Sequence, residues 1–138
     1  MTLLDAYALI AFLIGGPAAA QVRSILREGD AGVTTANLVE VLDVSERVHG
    51  LPIMRSTEVL DPLFEGALVS NPLDFGLARR AAEIRARHYD RASRPISLAD
   101  AVLVASAKAG DSIATADPDV LAVARAEKLA TVALPEQG

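Results

Sequence analysis

The chain contains no cysteine and no tryptophan, and only three phenylalanines and two tyrosines among its 138 residues. Without cysteine, disulfides, zinc–thiolate sites and thiol catalysis are excluded, and a reducing, cytoplasmic setting is the compartment this suits. So few aromatic rings argue against a stacking platform for single-stranded nucleic acid. No stretch approaches the roughly 18 consecutive apolar residues of a membrane span. The apolar run Ala6–Ile14 has no positively charged start: Asp5 stands directly before it and the first positive charge is Arg23. No secretory signal is expected from it, and no membrane partner. Basic excess is missing too, since the net charge is −5, which argues against indiscriminate binding to polyanions. The sequence has no GxxxxGK(S/T), GxSxG or HExxH; Gly15-Gly16-Pro17 is a helix breaker, not a phosphate loop.

What is present is a hydrophobic fraction of 51% with charged residues at 22%, enough apolar matter for one domain, 1–138, with a core of its own. Short β-like runs alternate with longer helical ones. Strands are expected at Met1–Leu4, Ala31–Thr35, Ala67–Ser70, Ser112–Thr115 and Thr131–Leu134. Helices are expected at Ala6–Ile14, Pro17–Glu28, Asn37–His49, Ser56–Phe64, Asp74–Tyr89, Ser97–Ala109 and Pro118–Glu127, with Arg91–Pro95 as a polar loop. Strands separated by helices pair in parallel, because parallel neighbours need a crossover. The fold class is therefore α/β: a three-layer α/β/α sandwich around a mainly parallel sheet of about five strands.

In such sheets ligands gather beyond the carboxyl ends of the strands. Asp5 directly follows the first strand and Asp117 the fourth. Glu40 and Asp100 are expected in the first turns of the helices that follow the second strand and precede the fourth. All four acids then share one edge. Each has an ordinary explanation as well. Asn37-Leu38-Val39-Glu40 and Ser97-Leu98-Ala99-Asp100 fit the capping box, Asp117-Pro118 fits an N-cap followed by proline, and Asp5 can cap the first helix. As a set they are harder to explain by capping. Several carboxylates in a partly enclosed site repel one another unless some protonate or a cation intervenes. Oxygen-only donors with no cysteine and no nearby histidine select a hard ion, Mg²⁺ or Mn²⁺.

The segments Leu3-Leu4-Asp5-Ala6-Tyr7-Ala8-Leu9, Asn37-Leu38-Val39-Glu40-Val41, Ser97-Leu98-Ala99-Asp100-Ala101 and Thr115-Ala116-Asp117-Pro118-Asp119 resemble, in order and spacing, the acidic motifs of PIN domains. Together with Leu134-Pro135-Glu136-Gln137-Gly138 they resemble the VapC toxins of VapBC toxin–antitoxin pairs in particular, over essentially the whole chain. Val120 departs from the pattern, since relatives often carry an aromatic residue there. The resemblance implies a Mg²⁺-dependent endoribonuclease that leaves a 5′-phosphate and a 3′-hydroxyl. It implies Asp5, Glu40, Asp100 and Asp117 as catalytic, metal-binding acids, Asp119 as an additional ligand and Thr115 as a residue that steadies the site. A VapB-like antitoxin and a homodimer are the partners it implies, besides the RNA substrate.

Arg79, Arg80, Arg85, Arg87, Arg91 and Arg94 crowd one helix and its following loop. They read either as a solvated face or, for Arg87 and Arg91 especially, as a track for RNA phosphate. His49 and His88 are expected as surface residues remote from the acids. The apolar segment Met54–Val69 is expected to pack in the core or against another subunit. Two other functions compete. A receiver-like phosphoacceptor needs a second acid beside Asp5 and a lysine after a late strand, whereas the only lysines are Lys108 and Lys128. A catalytically silent PIN-fold binding module would keep the acids for a partner.

Overall fold

The computed structural model describes residues 1–136; Gln137 and Gly138, part of the expected domain and of the resemblance, lie outside the described residues. Five strands, β1 (Thr2–Leu4), β2 (Ala31–Thr34), β3 (Leu68–Asn71), β4 (Ser112–Thr115) and β5 (Ala130–Ala133), form one sheet in the order β3-β2-β1-β4-β5. Every neighbouring pair is parallel. The helices are α1 (Ala6–Ile14), α2 (Ala19–Glu28), α3 (Thr35–Arg47), α4 (Ile53–Leu60), α5 (Phe75–His88), α6 (Leu98–Ser106) and α7 (Pro118–Ala126), with a 3-10 turn at Asp61–Glu65.

Alternation along the strands builds the three layers. Leu4, Val33 and Ala114 face a cluster with Ala8 and Leu9 of α1, Val22 of α2 and Val41 of α3. Leu3 and Ile113 face the other way, against Ala81 and Ile84 of α5, Leu103 of α6 and Val120 and Val123 of α7. A two-residue repeat sends successive side chains to opposite faces, so β1 and β4 serve both cores, while β2 gives Ala31 and Val33 to the first. Val120 is fully buried in the second core, so the departure noted there is absorbed by packing. Gly32, paired opposite Leu3, leaves its place to neighbouring side chains: a Cβ would lie 2.8 Å from Leu3 Cδ2 and 2.7 Å from Met1 Sδ, so both side chains would have to move for any larger residue. No single helix among the described residues is long and apolar enough to cross a membrane, and Ala6–Ile14 is a core helix.

Several element boundaries differ from those read in the sequence, and one difference matters for the site. α3 begins at Thr35, a residue expected in the strand, because Thr34 is its N-cap: the Thr34 hydroxyl accepts from Asn37 N–H at 3.0 Å and donates to Asn37 Oδ1 at 3.1 Å. Asn37 therefore lies inside the helix and fully buried, and the capping box expected at Asn37–Glu40 does not form. The helix expected at Ser56–Phe64 starts earlier, at Ile53, and stops at Leu60; Pro62 has no N–H to continue it, and the chain tightens into the 3-10 turn. α2 starts only at Ala19, α6 ends at Ser106, and β5 ends one residue before Leu134.

Candidate active site

The strand order reverses direction about β1, whose neighbours are β2 on one side and β4 on the other. That switch point leaves a crevice at the carboxyl ends of β1 and β4. A cavity of about 350 Å³ lies there, lined by Asp5, Tyr7, Glu40, Asp100, Asp117 and Glu136 among others. The four acids expected to share an edge thus share a cavity. Asp119 is not among its lining residues, though its charge reaches Asp100.

Asp5 follows β1 directly and caps α1, its Oδ1 accepting from Ala8 N–H at 2.9 Å. Its Oδ2 accepts from the Thr115 hydroxyl at 2.5 Å, across 110 residues of sequence. The same Thr115 oxygen accepts from Asp117 N–H at 3.1 Å, so one buried hydroxyl ties the acid of β1 to the acid after β4. Asp117 in turn caps α7, accepting from Asp119 N–H at 2.8 Å. Asp100 forms the expected capping box: Ser97 Oγ accepts from Asp100 N–H at 3.0 Å and Asp100 Oδ2 accepts from Ser97 N–H at 3.1 Å. Glu40 lies in the second turn of α3, not the first, and caps nothing. Capping therefore accounts for three of the acids and leaves Glu40 unexplained.

Electrostatics set Asp5, Glu40 and Asp100 apart from carboxyls elsewhere on the chain. Burial pushes Asp5 up to about 6, against the favourable bonds from Thr115 and Ala8 and with help from the charges of Asp100 and Glu40. Glu40 is raised by desolvation, then by Asp100 and Asp43. Asp100 is raised by burial and by Asp117 and Asp119, although its bonds to Ser97 pull the other way. By contrast, Asp43, Asp90 and Glu127 are lowered by hydrogen-bond donors beside them. Among the described residues, no three such side chains stand close enough to form a ready-made metal cage. Mg²⁺ does not require one, since it keeps several waters and takes one or two carboxylates directly. Crowded oxygen donors whose charges find no cation on the protein fit a hard divalent ion.

Two lining residues escaped sequence reasoning. Tyr7, the second residue of α1, donates its hydroxyl to the Pro135 carbonyl at 2.6 Å, and Glu136 follows at the cavity. Only the paired burial of Leu134 and the route of the chain after β5 bring that glutamate there, and no local pattern encodes the route. His49, expected to be remote from the acids, lines an adjoining apolar slot together with Tyr7 and Glu40. His88 is partly buried: its side chain is 13% exposed and Nε2 lies 2.7 Å from Glu127 Oε2. Neither Arg87 nor Arg91 lines the acid cavity. Arg87 pairs with Glu127 at 2.9 Å, beyond the end of α7 opposite Asp117, about 13 Å of helix away. Arg79 pairs with Glu83, and Arg85 lies over the Tyr89 ring and donates to the Ile96 carbonyl. Met54, Val59 and Val69 of the apolar segment are exposed, while Leu60 and Leu68 reach the core.

A doubly wound parallel sheet with clustered carboxylates at its switch point defines an α/β domain built around an acidic site. The family model of the PIN domain matches residues 2–126, and the chain belongs to the PIN domain family. No curated protein matches it by sequence. Among solved structures it is similar to Mycobacterium tuberculosis VapC20, described as a Sarcin-Ricin loop cleaving toxin, with 17% identity, a TM-score of 0.70 and coverage of 88% of this chain and 94% of that one. It is also similar to FitAcB from Neisseria gonorrhoeae, with 25% identity, a TM-score of 0.66 and coverage of 95% and 96%. VapBC2 from Rickettsia felis, bound to a DNA fragment from its promoter, matches with 11% identity, a TM-score of 0.69 and coverage of 97% and 98%.

Proposed function

We propose that the chain is a Mg²⁺-dependent endoribonuclease and the toxin half of a toxin–antitoxin pair. The observation that carries the reading is the single cavity shared by Asp5, Glu40, Asp100 and Asp117, with three of these carboxyls pushed up by burial and mutual repulsion. These four residues would hold the ion, with Asp119 reinforcing the field from the rim and Mn²⁺ as a substitute. When bound, Mg²⁺ supplies a nucleophile at neutral pH by lowering the pKa of water, and neutralises charge on the phosphodiester. The chain's own residues supply the rest. Thr115 fixes the Asp5 carboxylate and the start of the Asp117 cap in one frame. The Ser97–Asp100 box holds one oxygen of Asp100 to the backbone and so fixes the orientation of the other. Glu40, free of any cap, is the acid best able to adjust its position. RNA enters as a polyanion, and a cleft of bare carboxylates would repel it without the ion.

Purified protein incubated with single-stranded RNA should lose all cleavage in excess chelator and regain it with Mg²⁺ or Mn²⁺. Full cleavage in chelator would overturn the reading. A catalytically silent PIN-fold module is the second reading, favoured by the capping work of Asp5, Asp100 and Asp117; no cleavage under any metal condition would establish it instead.

The partner follows from the same charge. An arginine or lysine from another protein placed in the cavity would pair with the acids, displace the ion and bar RNA at once. The resemblance to VapC toxins makes an antitoxin the supplier of that side chain in our reading, acting on a homodimer of this chain. We expect the neighbouring gene to encode a short DNA-binding protein with a basic, arginine-containing tail. Co-expression should relieve growth arrest, and light scattering should show a dimer alone and a larger assembly with the partner. Replacing the tail arginine should restore cleavage. Complete inhibition by that variant would mean the antitoxin covers the RNA path and leaves the acid pocket alone.

A further inference from the structure

After β5 the chain does not leave the domain. Leu134 N–H donates to the Thr115 carbonyl at 2.9 Å, closing the last pair of the β4–β5 ladder, Thr115 with Ala133, and the Leu134 side chain is buried in the core, 5% exposed. Pro135 then presents its carbonyl to the Tyr7 hydroxyl at 2.6 Å. These three contacts pin the segment to β4, which carries Thr115, on one side and to α1, which Asp5 caps, on the other. The next residue, Glu136, lines the same cavity as the four acids. Its side chain is exposed, and among the described residues its carboxylate has neither a hydrogen bond nor an ion pair to hold it.

A fifth carboxylate at a cavity already crowded with four is unfavourable by itself, and a flexible glutamate on a loose tail would swing away from it. Here Tyr7 fixes the carbonyl of the preceding residue, which keeps the Glu136 backbone beside the cavity. A hydrated divalent ion offers what would make the placement favourable. Mg²⁺ keeps several of its waters, and those waters are donors that need acceptors. Carboxylates that do not touch a metal but orient its surroundings are worth about ten- to a hundredfold in affinity at known metal sites.

Resting on the reading of the cavity as a metal site, we infer that Glu136 is an outer carboxylate of that site, accepting hydrogen bonds from water on the bound ion, and that Tyr7 is the residue that positions it through Pro135. Tyr7 touches neither the ion nor RNA in this role. Its hydroxyl holds the strap, and the strap holds the acid.

The test is Mn²⁺ binding to the intact protein, followed by the paramagnetic signal of the free ion, at low and at half-molar potassium chloride. Glu136→Gln should weaken binding about tenfold and keep most of that loss in high salt, where a remote surface charge would be screened. Tyr7→Phe should weaken binding less, about threefold, the scale of one lost hydrogen bond. The double variant should bind no more weakly than Glu136→Gln, since Tyr7 acts only through that residue. Thermal melts monitor folding, and Asp100→Asn serves as the control that loses the ion outright. If Glu136→Gln binds Mn²⁺ as the parent does while Asp100→Asn does not, the metal site stands and this inference falls. A loss that vanishes in high salt, or effects of Tyr7 and Glu136 that multiply, would also overturn it. Failure of the parent to bind Mn²⁺ would remove both the inference and the nuclease reading on which it rests.

Discussion

Asp100→Asn should abolish RNA cleavage while leaving a folded protein. Asp100 performs two separable tasks. Its Oδ2 accepts from Ser97 N–H to close the capping box, and its charge contributes to the cavity. Asparagine keeps an oxygen for the first task and lacks the charge for the second. A metal's stabilisation of the transition state is worth several kcal/mol, and each ~1.4 kcal/mol lost is tenfold in rate. Cleavage should therefore fall by about two to three powers of ten or more at fixed Mg²⁺. Stability should change by no more than about 1 kcal/mol, because the weakened dipole interaction is offset by relief from burial and from the charges of Asp117 and Asp119. Single-turnover cleavage and a denaturant titration on the same preparation measure both quantities. A variant that is unfolded, or folded with full activity, would assign Asp100 to capping alone.

The second large effect is on stability, and it has a definite sign. Asp5 titrates near its ordinary value of 3.8 in the unfolded chain and at about 6 when folded, because burial disfavours its charge. The folded state therefore holds this proton more tightly than the unfolded state does. Stability from this group is fully present below about pH 4 and is lost as pH rises through about 6. The full penalty of roughly two pKa units is about 3 kcal/mol at neutral pH. Glu40 and Asp100 are shifted in the same direction, whereas Asp43, Asp90 and Glu127 work the opposite way. The clean observable is consequently a difference between two proteins. In chelator, Asp5→Asn should match the parent near pH 4 and exceed its stability by up to about 3 kcal/mol at pH 7. The amide can still accept from Ala8 N–H and can donate to the Thr115 hydroxyl, so the local bonds survive. Adding Mg²⁺ at pH 7 should raise the melting temperature of the parent and do little for the variant. A constant difference between the two across this pH range would show that Asp5 ionises freely in the folded state.

Chelation should thus both silence the protein and loosen it above pH 6, with one cause for the two effects. Thr115 stands at the centre of that cause. It is buried, donates to Asp5 and accepts from Asp117 N–H, so one hydroxyl ties the Asp5 carboxylate to the backbone that carries Asp117.

Much of this was legible in the chain itself. Alternating β and α periods fixed an α/β fold with parallel strands, since local geometry allows few other arrangements. Asp5 and Asp117, placed just after strands, and Asp100, placed in a capping box, could be assigned to one edge from local pattern. Those signals act over two to four residues, the range in which side-chain spacing and cap chemistry operate. The boundary of α3 was misread because two threonines and an asparagine all make credible caps locally. The buried reciprocal bonding of Thr34 with Asn37 selects among them, and burial is a tertiary property. Only the folded structure set β1 beside β4, brought Thr115 to Asp5, drew the Arg87 side chain to Glu127 and carried Glu136 back over α1. Each of those contacts joins residues 40 or more apart in sequence. No periodicity spans such separations; they are decided by which apolar faces must be covered together when the two cores close on the sheet.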